Sequence, residues 1–156
     1  MSESERIVLV VEDNADDWFL LQRGIKRAGI TQTFQHVPDG QQAIDYLQGV
    51  NPFSDRTVYP LPVLVLLDLK LPVKHGFEVL SWIRQRPQLN GLAVVIFSSS
   101  KAEADLVRAY DSGANAFLVK PTAAEKLPEV LHALDLFWLR NNEFAPFNLF
   151  TKRLTS

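Results

Sequence analysis

Short runs of aliphatic residues recur along the chain at intervals typical of β-strands. The clearest is VLVLL at residues 63–67, where five aliphatic residues lead directly into Asp68. The runs predict five strands, at residues 6–11, 33–37, 62–67, 93–97 and 115–119. Because apolar and polar residues do not alternate within them, we expect strands buried on both faces, as in a parallel sheet with helices on each side.

Amphipathic helical patterns lie between the predicted strands. One apolar stripe is followed by Gly29, the predicted C′ residue of its helix, and comprises Trp18, Leu21, Ile25 and Ala28. Near the C-terminal end a second stripe comprises Leu127, Leu131, Leu134 and Trp138. Pro128 cannot donate a helical hydrogen bond, so it predicts a kink or a main helix that begins near Leu127. The alternation of strand and helix predicts an α/β domain with right-handed crossovers.

Two segments depart from this alternation. Residues 51–62 contain three prolines and are long for a connection between a helix and a strand, which predicts a surface loop. The chain after Arg140 is too short for a second domain, yet it carries large apolar side chains at Phe144, Phe147, Leu149 and Phe150.

Composition and charge exclude several classes of function. The formal net charge of −2 supplies no positive field for a phosphate backbone, so nucleic acid is not an expected direct partner. The absence of cysteine excludes disulfides and thiolate metal sites and fits a reducing cytosol. Because no apolar run approaches the roughly 18 residues of a membrane span, we expect a cytoplasmic protein without a membrane partner.

Polar side chains follow four of the five predicted strands. In a parallel sheet the C-terminal ends of all strands lie at one edge, which is where open α/β sheets bind their ligands. The residues brought to this edge are Glu12, Asp13, Asp68, Ser98 and Lys120. Each of them alone is more often a helix cap or a loop residue, but their joint position at one predicted edge favours a functional site.

The chemistry of this set points to phosphoryl transfer. Three neighbouring carboxylates repel one another unless a cation joins them, and oxygen ligands suit a hard ion such as Mg²⁺, or Mn²⁺. An ammonium and a hydroxyl beside them can stabilise the oxygens of a transferring phosphoryl group. Asp68 is then the predicted nucleophile, since carboxylates form acyl phosphates.

Four segments together resemble the receiver domains of two-component response regulators: VLVVEDN, VLLDLKLP, VVIFSSS and SGANAFLVKP. The spacing also fits, with Ser98 lying 30 residues after Asp68 and Lys120 lying 22 residues after Ser98. The resemblance covers residues 5–140 and leaves residues 141–156 as a C-terminal extension. It implies a flavodoxin-like, five-stranded parallel sheet of order 2-1-3-4-5.

The resemblance also implies roles for individual residues. Asp68 corresponds to the phosphoacceptor, Asp13 to a direct metal ligand and Glu12 to a water-mediated one, while Lys70 contributes a backbone carbonyl to the metal. It further implies that Ser98 is the switch hydroxyl and Phe117 the switch aromatic. Lys120 corresponds to the residue that binds the phosphate, and the resemblance implies a cis peptide bond between Lys120 and Pro121.

A narrower resemblance is to the single-domain cyanobacterial phytochrome response regulators, and it rests on the length, the 51–62 loop and the sequence LDLFWL. It implies a phytochrome-type histidine kinase as phosphodonor and a homodimer formed through the last helix and the C-terminal tail. The alternative for the tail is that it folds back over its own domain. Two residues depart from the commonest receiver pattern: Ser98 stands for threonine, and Lys70 stands two positions after the phosphoacceptor.

Other functions remain open at this point. A phosphatase of the dehalogenase type also uses an aspartate after a hydrophobic strand, but it requires a second aspartate where this chain has Lys70. A degenerate receiver could serve as a binding module only, and a flavodoxin-like cofactor carrier would share the fold. His36, His75 and His132 lack the spacing of a metal site, and we expect structural or surface roles for all three.

Overall fold

The sheet contains five parallel strands in the order β2-β1-β3-β4-β5. The computed structural model describes residues 6–146. The strands are β1 (Ile7–Val11), β2 (Thr33–Val37), β3 (Leu64–Leu67), β4 (Ala93–Ser98) and β5 (Ala116–Val119). The predicted flavodoxin-like order is therefore confirmed, and each strand lies within two residues of its predicted bounds.

Burial follows the position of each strand in the sheet. The central strands β1, β3 and β4 are buried along their whole length, as the absence of polar alternation predicts. The edge strands β2 and β5 each have a single neighbouring strand and are mostly half-buried. The polar residues of β2 occupy these less protected positions.

Within residues 6–146, five α-helices cover the sheet: α1 (Ala15–Arg27), α2 (Gly40–Gln48), α3 (Gly76–Arg84), α4 (Glu103–Asp111) and α5 (Leu127–Leu134). Short 3₁₀ turns occupy Pro87–Leu89 and Ala124–Lys126, and a π-helical segment, Asp135–Asn141, continues α5. Gly29 has φ 70° immediately after α1, as expected of a C′ glycine. Pro128 lies in the first turn of α5, where it costs no helical hydrogen bond.

Helices α1 and α5 lie close together on one face of the sheet. A Cβ atom at Gly24 of α1 would lie 2.7 Å from Cδ1 of Leu131 of α5, so glycine permits this approach. The contact matters for the site because α1 follows the acidic residues after β1, and α5 follows Lys120 after β5. Packing of the two helices therefore brings these two loops together.

The 51–62 segment is anchored to the domain. The Arg56 guanidinium donates hydrogen bonds to the carbonyls of Tyr46 and Leu47 at the end of α2 and to that of Tyr59. The Phe53 ring is buried, with its centroid 5.2 Å from that of Tyr46. The predicted surface loop thus contributes a side chain to the core.

The beginning of the C-terminal extension returns to its own domain. Phe144 packs against the core formed by α1, α5 and the sheet, and its ring centroid lies 5.8 Å from the Arg6 guanidinium. Phe147, Leu149 and Phe150 lie outside the described residues. Over residues 6–146 none of the helices combines the length and the apolar character needed to cross a membrane.

Candidate functional site: an acidic cluster at the carboxyl edge of the sheet

Three carboxylates meet where β1 and β3 end. Val11 pairs with Leu67 across the two strands, so Glu12 and Asp68 leave the sheet side by side. One oxygen from each of Glu12, Asp13 and Asp68 lies within 4.8 Å of the others. Glu12 and Asp68 are buried while Asp13 is exposed, so the cluster opens toward solvent on the side of Asp13.

Lys120 joins these carboxylates from β5. Its Nζ atom donates hydrogen bonds to Oε2 of Glu12 at 2.7 Å, to Oδ2 of Asp68 at 2.8 Å and to Oδ2 of Asp17 at 3.1 Å. These contacts use all three ammonium hydrogens. Asp17 lies in the first turn of α1 and was not predicted as part of the site, although the acidic run EDNADD places it one turn after the predicted ligands.

Burial and charge shift the pKa values of two of these groups. Burial raises the pKa of Glu12 to about 7; the hydrogen bond from Lys120 opposes this rise, and the neighbouring Asp68 adds to it. Burial disfavours the charged form of Lys120, but the hydrogen bonds with Asp68 and Glu12 outweigh it and hold the Lys120 pKa above its usual range. Lys120 is therefore a permanent cation in this site.

The ligand loops are held by backbone contacts. Oε1 of Glu12 accepts a hydrogen bond from the Asn14 N–H at 3.1 Å, and the Asn14 side chain caps α1 by accepting from the Asp17 N–H. Oδ1 of Asp68 accepts from the Lys70 N–H at 3.3 Å. The Lys70 side chain itself is exposed beside the cluster.

The predicted switch residues lie on the neighbouring strands. Ser98 ends β4 and is fully buried, with its hydroxyl accepting a hydrogen bond from the Ser100 N–H at 3.3 Å. Phe117 in β5 is partly buried against the core that also contains Ala109 of α4. The two side chains thus lie between the acidic cluster and the face of the domain that carries α4.

One prediction about this site is wrong. The Lys120–Pro121 peptide bond is trans, whereas a cis bond was expected; the cis bond among the described residues is Asn51–Pro52. The trans form of an X–Pro bond is favoured by about 0.5–1 kcal/mol, and with it the Lys120 ammonium already reaches Glu12 and Asp68.

A cavity of about 160 Å³ lies beside the carboxylates, between α1 and the start of α5. Glu12, Asp17, Asp68 and Lys120 line its polar end. Its apolar walls include Val10, Leu20, Leu21, Leu66, Phe97 and Leu127. Glu12 itself is buried, and this burial is the main cause of its raised pKa.

His36 also contributes to the site. Its Nε2 atom lies 2.7 Å from the carbonyl oxygen of Glu12, and its ring stacks on that of Trp18. The sequence analysis assigned His36 a structural or surface role and did not indicate this contact with the backbone of the acidic cluster. No periodicity or spacing in the sequence indicates this contact.

Residues 8–132 match the response regulator receiver domain family. The chain belongs to this family. Its members are phosphorelay switches rather than metabolic enzymes. The receiver domain accounts for all five strands and for α1 to α4, and it ends within α5.

Two curated relatives align with most of the chain. The probable methanogenesis regulatory protein FilR2 of Methanothrix harundinacea is 37% identical over 138 residues, which are 88% of this chain and 86% of FilR2. Response regulator Rcp1 of Synechocystis is 33% identical over 138 residues, which are 88% of this chain and 92% of Rcp1.

Solved structures of response regulators are similar to the whole receiver domain. The phosphorylated cyanobacterial phytochrome response regulator RcpA superimposes with a TM-score of 0.83 at 30% identity, covering 90% of this chain and 99% of RcpA. The Mn²⁺-bound form of Rcp1 superimposes with a TM-score of 0.81 at 32% identity over 90% of this chain and 99% of Rcp1. The receiver domain is thus close to these phytochrome response regulators in sequence and structure.

The residues present fit a divalent cation. All side-chain donors of the cluster are carboxylate oxygens, which are the ligands that Mg²⁺ and Mn²⁺ prefer. The exposed position of Asp13 leaves room for the water molecules that Mg²⁺ retains.

Proposed function

We propose that the protein accepts a phosphoryl group from a histidine kinase on Asp68 and signals by a change in its protein contacts. The observation that carries this proposal is the buried Asp68 carboxylate, paired with Lys120 at 2.8 Å inside a cluster of three carboxylates. A lone buried acid needs one counter-ion, whereas this arrangement has the charge pattern of a phosphoryl acceptor site.

The transfer is a displacement at phosphorus. An Asp68 carboxylate oxygen attacks the phosphorus of a phosphohistidine, the P–N bond breaks, and the imidazole leaves with a proton from solvent. The product is an acyl phosphate on Asp68. Hydrolysis then ends the signal. Water attacks the phosphorus, the P–O bond to Asp68 breaks, and inorganic phosphate and the Asp68 carboxylate are released.

The chain supplies the groups that this displacement requires. The Lys120 ammonium already contacts Oδ2 of Asp68 and would donate to a phosphoryl oxygen beside it. Asp13 and Asp68 would hold Mg²⁺ or Mn²⁺ directly, with Glu12 bound through water and Lys70 through its backbone carbonyl. When bound, the ion supplies positive charge that offsets the carboxylates and the phosphoryl oxygens.

Phosphorylation would be transmitted through Ser98 and Phe117. The Ser98 hydroxyl would donate to a phosphoryl oxygen, and Phe117 would move inward behind it. This is a population shift, limited by the difference in contacts that the phosphate makes in the two states. Because Phe117 shares a core with Ala109 of α4, the shift would change the surface around α4.

We propose a phytochrome-type histidine kinase as the phosphodonor. The support is the likeness to Rcp1 and RcpA over nine-tenths of this chain. Phosphotransfer from a purified phytochrome-type kinase, compared with transfer from an unrelated histidine kinase, tests this choice.

We also propose that the protein forms a homodimer through the end of its last helix. Leu136 and Phe137 in the π-helical segment are 49% and 58% exposed, whereas Leu139 is buried in its own domain and Phe144 packs against it. The exposed pair therefore defines the proposed contact, and a symmetric pair of subunits is the commonest way to cover such a surface.

A small phosphodonor tests the main proposal. Acetyl phosphate with Mg²⁺ should add one phosphoryl group to the wild type, detected by intact-protein mass spectrometry, and the Asp68→Asn variant should remain unmodified. Asp105→Asn, which removes a carboxylate on α4, is the control and should be modified like the wild type. Modification of Asp68→Asn, or steady turnover of a generic phosphate ester, would overturn the proposal and favour a phosphatase.

A further inference from the structure

The Glu12 carbonyl lies where the β1–β2 ladder ends. The Glu12 N–H donates to the Val37 carbonyl at 3.1 Å, and this is the final bond of the ladder on that side. After Val37 the chain turns at Pro38 and Asp39 into α2, so the ladder is not continued past this bond. The carbonyl of a buried residue such as Glu12 needs a donor, because an unpaired backbone acceptor is costly away from water.

His36 supplies this donor. Its Nε2 atom lies 2.7 Å from the Glu12 carbonyl oxygen, and since a carbonyl can only accept, Nε2 must carry the hydrogen. The ring is fixed in this orientation by Trp18 of α1, which stacks on it with 4.3 Å between centroids and 10° between planes. The ring stack thus joins the start of α1 to β2. The hydrogen bond from His36 ties both elements to Glu12, the residue before Asp13.

Every polar group of Glu12 is then fixed by a different part of the chain. Val37 binds its N–H, His36 its carbonyl, and Asn14 and Lys120 bind one carboxylate oxygen each. The Glu12 carbonyl belongs to the peptide unit that also contains the Asp13 N–H. Its orientation therefore determines where the Asp13 carboxylate lies relative to Asp68.

We propose that His36 is a positioning residue for the divalent cation, acting through the Glu12–Asp13 peptide. This inference rests on the proposed function, because it concerns the same metal site. Loss of a partner that orients a metal ligand weakens binding by roughly 10–100-fold. His36 acts through the backbone, so we expect the lower end, about a tenfold weaker affinity.

Two matched pairs of variants isolate the hydrogen bond. His36→Phe keeps a ring to stack on Trp18 and removes the donor. His36→Gln keeps an amide N–H at about the same reach, while His36→Met has similar length without a donor. Should His36→Phe fail to fold, the comparison of His36→Gln with His36→Met answers the same question.

Binding of Mn²⁺ alone, measured by titration calorimetry and by the electron paramagnetic resonance signal of free Mn²⁺, is the primary measurement. We expect about tenfold weaker binding for His36→Phe and His36→Met, and binding within about twofold of wild type for His36→Gln. Phosphorylation by acetyl phosphate should need more Mg²⁺ in the donor-free variants but reach the wild-type rate at saturation. A purely structural role would not produce rescue by glutamine.

The possible failures can be distinguished. Equal Mn²⁺ affinity in the wild type and His36→Phe, or in His36→Gln and His36→Met, would overturn the positioning role and leave the proposed function intact. A wild type that binds no Mn²⁺ would overturn the metal site of the proposed function and this inference with it. Weak binding in all variants, including His36→Gln, would assign the effect to the ring and would also overturn the proposal.

Discussion

At the scale of single residues, the site is organised by one ammonium and the carboxylates around it. Lys120 bonds three acids, and burial raises the pKa of Glu12. The parallel-sheet rule predicted the meeting of Glu12, Asp13, Asp68 and Lys120. It could not predict Asp17 or His36, because their contacts depend on how α1 lies over β1 and β2.

The raised pKa of Glu12 predicts a pH dependence of stability in cation-free protein. Between its ordinary value of 4.5 and its folded value of about 7, the folded state holds more protons than the unfolded state. The free energy of unfolding should therefore fall as pH rises from about 4.5 to 7, by up to about 3 kcal/mol. Denaturant unfolding in a chelator, repeated at several pH values, measures this slope.

Glu12→Gln should flatten the slope, because glutamine does not titrate. Glu103→Gln removes an exposed acid on α4 and should keep the slope of the wild type. Parallel pH profiles for the wild type and Glu12→Gln would show that Glu12 is not the group responsible.

Lys70 gives a second prediction at this scale. Its side chain is exposed and its backbone N–H is bonded to Asp68, so we expect its ammonium to screen the acyl phosphate from attacking water. An exposed charge interaction of about 1 kcal/mol corresponds to about a fivefold change in rate. The Lys70→Asn variant should lose its phosphate about fivefold faster, as followed by mass spectrometry after removal of the phosphodonor.

Lys74→Asn removes another positive charge from the same loop and serves as the control, with an expected lifetime like that of the wild type. An unchanged decay rate in Lys70→Asn would remove the proposed role of its charge.

At the scale of elements, the strands and helix ends could be predicted wherever a single local sequence pattern determines them. The central strands carry uninterrupted aliphatic runs. Gly29 marks the end of α1 because it adopts a positive φ, and Pro128 marks the start of α5 because it has no N–H to donate. The strand ends were less certain: β3 begins at Leu64 rather than residue 62, and β4 extends to Ser98. The isomer of the Lys120–Pro121 bond was predicted wrongly, because it depends on tertiary contacts and not on local sequence.

Gly76 links the start of α3 to the site. A Cβ atom there would lie 2.7 Å from Cα of Leu69 and would also meet the Asp68 carbonyl oxygen. We expect Gly76→Ala to lower the free energy of unfolding by about 1–3 kcal/mol and to slow phosphorylation, because the backbone after Asp68 must move.

Gly29→Ala is the matched control for Gly76→Ala. Gly29 has φ 70° and open space around its Cβ position, so alanine should cost about 1 kcal/mol through backbone strain alone. Its phosphorylation rate should equal that of the wild type. A normal rate in Gly76→Ala would show that the site tolerates displacement of this backbone.

At the scale of the whole molecule, the family resemblance predicted the order of the strands in the sheet. No sequence pattern predicted where the segment after α5 packs. The tail alternative was correct for Phe144, which packs on its own domain. In the segment that continues α5, Leu139 is buried while Leu136 and Phe137 are exposed. Helical periodicity could not make this division, because the segment has π-helical geometry.

The proposed dimer predicts the effect of a charge at this surface. Phe137→Glu should convert a dimer into a monomer in sedimentation velocity at micromolar concentration, because a buried unpaired carboxylate is costly at an interface. Phe19→Glu places the same charge on α1, where Phe19 is 61% exposed, and should leave the dimer unchanged. A monomeric wild type, with or without phosphorylation, would contradict the proposed dimer.

The bond between Lys120 and Glu12 joins residues that are 108 positions apart in the chain. Closing a loop of this length costs conformational entropy, and the contact cannot form before Lys120 has been synthesised. During synthesis, the carboxylates after β1 and β3 leave the ribosome before the lysine that compensates them. Under the proposed function, a nascent chain would therefore not accept a phosphoryl group on Asp68 until Lys120, which follows the last strand, has joined the site.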